Sequence, residues 1–491
     1  MYNDINTEQL NRAGQYSLSD VQLVSYQSSQ GQSNPKRISV RSLVTELNIY
    51  ESLTNKTLSG NIVLTDAQNV ANHLPLTGFE EIEFKLFTPG TSRAFDFTSA
   101  TGHPMKIYKI SNRQGLNPRT QIYVLNFASK EMITNEQVRV RTANENTIDN
   151  TVLSVVRNNL KSDKTLILEE TKGIRKFVMP RVRPFEALDI LGKSAESKKY
   201  NTPGMLFYET AIGFQFKSYE SMLATSSAIA RPVVALYRSI PANIRDEQGN
   251  RNVIKEMQTV KNYQLNSQYD TLKNLRNGVY SSRVVSHDAY NKTFKETDFD
   301  YATEYEKSFH TEHDGEGAKT DNKGILPLFN YDKGKTFSDF PEGTLYFMSN
   351  TQKIHNTSET PDYFDTFPKR LSQKLAFETM NVSLDVPGFT GISCGDLIAF
   401  EMPAYEPVGT DNPFDNDPYL SGRYLIKAIR HSIDTVDDYH SMNIEIIKDA
   451  VKDPYPQENL DVLSERGNKD KLNVLQYELD ETVLKEAGDT V

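Results

Sequence analysis

His310-Thr311-Glu312-His313-Asp314 is the one clustered set of potential metal ligands in the chain. Zinc peptidases place two histidines four apart on a helix, with a glutamate between them and a third ligand downstream. Here the histidines are three apart and Gly315-Glu316-Gly317 ends any helix at once, so a solvated loop without metal is expected. Two acidic pairs, Glu80/Glu81 and Asp437/Asp438, offer carboxylates for glycoside hydrolysis. That chemistry needs two carboxyl groups converging across a cleft, roughly 5 to 9.5 Å apart, and adjacency in sequence does not supply it. In so acidic a chain such pairs are expected at the surface. His431 and His440 lie in strand-like sequence near Asp434, Asp437 and Asp438, where structural hydrogen bonding is the expected role. Neither a nucleophile elbow nor a phosphate-binding Gly-Lys-Ser/Thr loop is expected. The single cysteine, Cys394, excludes a disulfide framework and a thiolate metal site and is expected to be a buried, inert thiol. No catalytic residue, metal ion or cofactor is expected.

Composition points the same way. At 491 residues the chain has room for about three domains. Tyr and Phe supply 49 residues and Trp none, and 25 Gly and 21 Pro favour strands joined by turns over helical bundles. The formal charge is −10 with no run of Lys and Arg, whereas nucleic-acid binders neutralise phosphates with basic patches. The nearest to a basic cluster, Lys172 to Arg183, is interrupted by Phe177, Val178 and Met179 and reads as a solvated strand face. Residues 1–16 lack the pattern of a secretory signal, and no stretch of about 18 apolar residues occurs, so synthesis in a reducing host cytoplasm without membrane insertion is expected.

The elements that would position these residues are mostly strands. In Glu81–Phe87, Ile82, Phe84 and Leu86 alternate with charged residues, the period of a half-buried strand. Residues 38–52, 61–65 and 121–127 also read as strands, and Asp66 is placed to cap a short helix through Val70, Ala71 and Leu74. Residues 131–230 change character. Ile148, Val152, Val155 and Val156 share a helical face, Pro184 opens a second helix, and a hairpin turns at Gly213. A short helix near Tyr269–Asn277 closes at Gly278, and the strand Tyr280–His287 follows. Residues 300–370 are polar and weakly periodic, as an insertion with long loops would be. Strands resume at Asn381–Val386 and run through Asp396–Glu401, Tyr419–Ile433 and His440–Ile447. Past a linker with Pro454 and Pro456, the aliphatic residues Leu472, Leu475, Leu479 and Val483 recur at helical spacing and form a candidate partner-docking face.

One internal echo stands out. Thr57-Leu58-Ser59-Gly60-Asn61-Ile62-Val63-Leu64 and Tyr419-Leu420-Ser421-Gly422-Arg423-Tyr424-Leu425-Ile426 both put Leu-Ser-Gly ahead of an apolar strand. Gly60, Gly395 and Gly422 are therefore expected at structural turns or bulges, with two related barrels in one chain.

Gly395-Asp396-Leu397-Ile398, the Leu420-Ser421-Gly422 strand and Ile429-Arg430-His431 resemble the tube-like barrel of contractile-tail baseplate hub proteins and of type VI secretion spike proteins. Tyr50-Glu51-Ser52-Leu53 leading to Leu58-Ser59-Gly60 resembles the first barrel of the hub family, and Arg183-Pro184-Phe185-Glu186-Ala187-Leu188 with Leu206-Phe207-Tyr208-Glu209 resembles its intervening domain. The resemblance covers roughly residues 35 to 225 and 380 to 450. It implies a mainly β fold with α+β parts: an N-terminal arm (1–15), a first tube-like antiparallel barrel (16–130) and a small α+β domain (131–230). A second barrel (231–299 and 371–450) completes it, while the polar insertion (300–370) and the C-terminal linker with a docking helix (451–491) are read from the residues themselves and lie outside the resemblance. It also implies a virion protein of the tail baseplate that forms a homotrimer and joins the hexameric tail tube to a trimeric central spike, around a channel through which DNA leaves without specific binding. Its partners would be that spike, tail tube or tube-initiator proteins, and baseplate wedge and tape-measure proteins. Two other classes compete: a receptor- or carbohydrate-binding tail protein, which glycan binding would reveal, and a tail-associated cell-wall hydrolase, which a peptidoglycan zymogram would reveal.

Overall fold

A computed structural model describes residues 10–26, 35–74, 76–226, 229–239, 252–289, 291–313, 330–332, 335–349, 363–403, 416–417 and 419–451. The expected mainly β fold forms, with helices at the joins.

The first lobe is built from β1 (Ser17–Ser25), β2 (Lys36–Ser39), β3 (Val44–Ser52), β4 (Ser59–Asp66), β5 (Glu81–Phe87), β6 (Ala94–Asp96), β7 (Met105–Asn117) and β8 (Thr120–Ala128). They pair antiparallel in the order β3-β4-β8-β7-β5-β1-β2 and surround Leu47, Ile49, Ile62, Leu64, Phe84 and Phe127. Burial alternates strictly along β4, as a strand with one covered face requires. In β5 the expected alternation fails, because Glu81 and Glu83 are buried as well. Lys106 pairs with Glu81 at 2.5 Å and Arg37 with Glu83 at 2.9 Å, so cations lie over the strand's second face. Asp66 accepts hydrogen bonds from the backbone of Gln68 and Ala71 and steadies the helix Val70–His73.

The middle domain packs the helices Lys130–Gln137, Ile148–Ser154 and Pro184–Ser194 with β9 (Ala143–Asn146), β10 (Leu166–Leu168), β11 (Arg175–Val178), β12 (Met205–Thr210) and β13 (Gly213–Ser218). Pro184 sits in the first helical turn, and Glu186 accepts from the Arg183 N–H at 3.1 Å. Val152, Val156, Leu188 and Leu191 meet Phe207 and Phe214 in one core. Gly213 makes the β12–β13 turn at φ +136°, where a side chain would also strike the Thr165 carbonyl. A short hairpin, β14 (Ala224–Ser226) and β15 (Ile229–Ala230), leads out.

The second lobe uses β16 (Ala235–Arg238), β17 (Asn262–Gln268), and, after an excursion, β23 (Met380–Pro387), β24 (Leu397–Glu401), β25 (Gly422–Asp434) and β26 (Tyr439–Lys448). The excursion holds β18 (Ser281–Asp288), β19 (Thr293–Asp300), β20 (Asn330–Asp332), β21 (Lys335–Thr336) and β22 (Leu345–Ser349). β22 runs parallel beside β18 and β19 antiparallel on its other side. A strand from the polar 300–370 stretch thus shares a sheet with strands that the sequence assigns to the second barrel. Tyr280, Phe299, Tyr301 and Tyr305 give this sheet a small aromatic core with Ala376, from the helix Tyr363–Phe377.

β25 joins the lobes. Residues 422–425 pair with β24, and residues 428–434 pair with β3 of the first lobe on the same edge, with an irregularity at Lys427. Leu425 and Ile429 belong to the second core, and Ile433 to the first. One strand therefore enters both cores and makes the two half-sheets continuous.

Candidate functional site

Three glycines mark the joint, and they do different work. Gly422 opens β25 at φ +137°, in contact with the ends of Glu312 and Lys448. Gly395 has φ +84° and lies under the Tyr208 hydroxyl of the middle domain. Both positions favour glycine by backbone conformation and by space. Gly60 keeps an ordinary strand conformation opposite Ile49 and Phe127, and a Cβ there would lie 2.3 Å from the Asn48 carbonyl oxygen. Gly60 and Gly422 share a place in the pairing instead. Gly60 is the second residue of β4 in the β3-β4-β8 triplet and Gly422 the first of β25 in β24-β25-β26, each near the start of a middle strand.

The His310–His313 stretch is buried, contrary to the solvated loop expected from its glycines and charges. Both His310 ring nitrogens are engaged, Nδ1 with Asp449 and Nε2 with the Tyr305 carbonyl, each at 2.8 Å. Thr311 donates its N–H and hydroxyl to the same Asp449. Glu312 pairs with Lys448 at 2.5 Å and accepts from the Arg423 N–H, while Lys448 also donates to the Ser421 carbonyl at 2.9 Å. Burial pushes the Glu312 carboxyl up and the Lys448 ammonium down, and the charge of each partner works against that shift. The cluster is a clamp on the start of β25 and the end of β26. Among the described residues no three candidate ligands converge on a metal position.

A second set of buried ions fastens the middle domain to the first lobe. Lys164 lies 2.6 Å from Glu209 and 3.0 Å from Glu131. The other Glu209 oxygen accepts from the Leu58 N–H at 2.8 Å and the Ser129 hydroxyl at 2.7 Å. The first Leu-Ser-Gly is therefore held by a carboxylate from the middle domain. Burial raises the Glu209 carboxyl despite Lys164; burial also lowers Lys164, but Glu209 and Glu131 more than reverse it. Glu51 on β3 accepts from Cys394 N–H at 3.1 Å and Ala211 N–H at 3.3 Å, tying all three parts together, and burial pushes its carboxyl up to about 8. Thr88 and Thr390 exchange reciprocal N–H to hydroxyl bonds at 2.9 and 3.0 Å, and Arg93 pairs with Asp396 at 3.1 Å. Cys394 is buried, and burial pushes its thiol well up, away from the reactive thiolate.

Glu80 and Glu81 are also buried, where surface positions were expected. Glu80 closes a loop by accepting from Thr77, Gly78 and Phe79 N–H, and Glu81 meets Lys106. Asp437 and Asp438 form the exposed β25–β26 turn. His431 Nδ1 and His440 Nε2 share a proton-bearing contact of 3.1 Å in full burial, with Phe95 edge-on to His431. Contrary to the expectation of no nucleophile elbow, Gly391-Ile392-Ser393-Cys394-Gly395 spells Gly-x-Ser-x-Gly. Such a serine needs a strand-to-helix turn and a histidine, whereas this one precedes β24. Its hydroxyl is buried without a hydrogen-bond partner among the described residues, and its N–H bonds Asp396. Gly192-Lys193-Ser194 likewise ends a helix, where a phosphate loop opens one.

β2 and β17 end the long sheet, and β7 leaves β5 after Lys106, so its outer edge from Tyr108 to Asn117 has no strand partner among the described residues. Tyr108 and Leu116 are exposed there. Leu472, Leu475, Leu479 and Val483 lie outside the described residues, all of which fall in the compact unit Met1–Lys452.

The architecture is that of a mainly β protein whose two lobes share one sheet. No protein-family model matches the chain, and no curated protein does. It is similar to a tail protein from Neisseria meningitidis MC58, with 10% identity and TM-score 0.49 over 89% of this chain and 97% of the other. It is also similar to the 43 kDa tail protein of prophage MuSo2 from Shewanella oneidensis (9% identity, TM-score 0.46, 89% and 100% covered). A third is prophage tail protein gp18 from Listeria monocytogenes EGD-e (10% identity, TM-score 0.43, 92% and 99% covered).

Proposed function

We propose that the chain is a structural virion protein, the hub of a contractile-tail baseplate, in which three copies close a ring of six barrel-like lobes. The observation that carries this reading is the seam at β25: two lobes, each with its own core, are joined in one sheet by a strand that enters both, so each copy contributes a rigid pair. Three rigid pairs related by a three-fold axis present six similar units to a hexameric tube on one side and a three-fold face to a trimeric spike on the other. The free outer edge of β7 supports it, since an unpaired edge is satisfied by a strand from a neighbour. Charge fits passage of DNA through the ring, because copies of net charge −10 repel a polyanion. Tube or tube-initiator proteins, the spike, and wedge and tape-measure proteins are the partners in this reading, and the location is the tail of the virion. The chain has no catalytic role in it: the buried carboxylates and imidazoles are tied to each other and to backbone. Light scattering of the purified chain, alone and with its spike protein, is expected to give a mass of three copies. A strict monomer in both samples counts against the hub.

A further inference from the structure

A groove of about 400 Å³ runs between the helix Pro184–Ser194 of the middle domain, the helix Tyr363–Phe377 and β26. Its floor is apolar, with Leu206, Leu371 and Ile447. Its rim is cationic: five Lys and Arg side chains face it against two carboxylates, on a chain whose net charge is −10. Lys56 is already paired with Asp189 at 2.6 Å and Lys427 with Glu445 at 2.8 Å. The side-chain ammonium groups of Lys193 and Lys374 form no ion pair or hydrogen bond among the described residues, although the Lys193 carbonyl accepts from Arg370 at 2.9 Å. An apolar floor between two free ammonium groups suits a short peptide with aliphatic side chains on one face and carboxylates beside them.

We propose that this groove receives residues 472–484 of a second copy of the chain, an inference that rests on the three-copy reading. That segment carries Glu478, Asp480 and Glu481 and no Lys, Arg or His. Leu472, Leu475, Leu479 and Val483 recur at helical spacing and supply the apolar face. Its charge is opposite in sign to the groove's, while most of this acidic surface repels it. The 21 residues from Lys452 to Leu472 span up to roughly 65 Å when extended, enough to reach a neighbour. Each copy then clasps the next, and the contact closes in a ring without leaving a groove empty.

A carboxyl-to-amine coupling reagent applied to full-length chains, mixed as isotopically heavy and light copies, tests this. Peptides joining Lys193 or Lys374 to Glu478, Asp480 or Glu481 are expected in heavy–light combinations. The double variant Leu475→Asp/Leu479→Asp, which keeps every reacting amine and carboxylate, is expected to lose those products at least tenfold. Coupling within one copy only, or none at these lysines, overturns the proposal. The mass of the uncoupled sample separates the two failures: three copies without these products leave the ring reading standing, and a monomer removes both.

Discussion

Lys164→Met is expected to lower the unfolding free energy by about 3–5 kcal/mol, the usual loss when one partner of a buried ion pair is removed. Lys164, Glu131 and Glu209 are all nearly inaccessible, and the ammonium lies within 3.0 Å of both carboxylates. Without it, two carboxyl groups face each other with no counter-charge, and at least one must take up a proton at neutral pH. The effect reaches beyond the middle domain, because Glu209 also holds Leu58 and Ser129 of the first lobe. The triple variant Lys164→Met/Glu131→Gln/Glu209→Gln is expected to recover much of the loss, since it leaves no buried charge. Urea unfolding of the three proteins checks both statements. A loss under about 1 kcal/mol in the single variant, the range of exposed pairs, means that water reaches these ions and that the joint is not dry.

Stability is expected to fall on both sides of a mildly acidic maximum. On the acid side the cause is the buried imidazole pair. Burial holds His431 well below its ordinary value and puts His440 at about 3. For a group with a depressed folded value, the stabilising contribution is complete above the unfolded value of about 6.5 and is lost as pH falls. Each histidine then removes about 1.4 kcal/mol per pH unit, roughly 5 kcal/mol for His440 by pH 3. Glu51 and Glu220 act in the opposite sense, since burial raises them to about 8 and about 7. Their contribution is complete below the unfolded carboxylate value near 4.3 and is lost as pH rises through 7 to 8. The four terms largely cancel between about pH 4.5 and 6.5. Below that window only the histidine loss remains, and above it only the carboxyl loss. Thermal unfolding from pH 3.5 to 9 is expected to show a plateau near pH 5 to 6, with the acid limb flattened in His440→Gln. A melting temperature that keeps rising from pH 6 to 9 contradicts this assignment of charges.

Much of the fold is legible in the sequence wherever local chemistry and tertiary packing agree. The helix opened by Pro184, the hairpin at Gly213 and the strand at Val382, Leu384 and Val386 all form where residue type and period place them. The helix Thr271–Arg276 stops before Gly278, which takes φ +64°. What stays hidden depends on distant partners. Nothing near His310 announces Asp449 and Lys448, so polarity and glycines argue for solvent, while long-range ion pairing draws the segment inside. Glu81 and Glu83 mislead in the same way, because the cations that cover them come from β7 and β2. The repeated Leu-Ser-Gly points to a shared strand position, yet only Gly422 needs a left-handed backbone; Gly60 needs room under Phe127. The three-residue match cannot tell those two demands apart. The Gly-x-Ser-x-Gly string at Gly391–Gly395 is the reverse case, a local pattern emptied of its usual meaning by the strand that follows it.

In the hub reading each chain supplies two rigidly joined lobes to a closed three-copy ring. Single-particle electron microscopy of the purified protein, with the spike added if the chain alone stays dispersed, tests this most directly. A torus with six similar densities round its wall, an open centre and three-fold symmetry is expected. Particles with two separate, independently oriented lobes, or a closed assembly whose copy number is not three, contradict it.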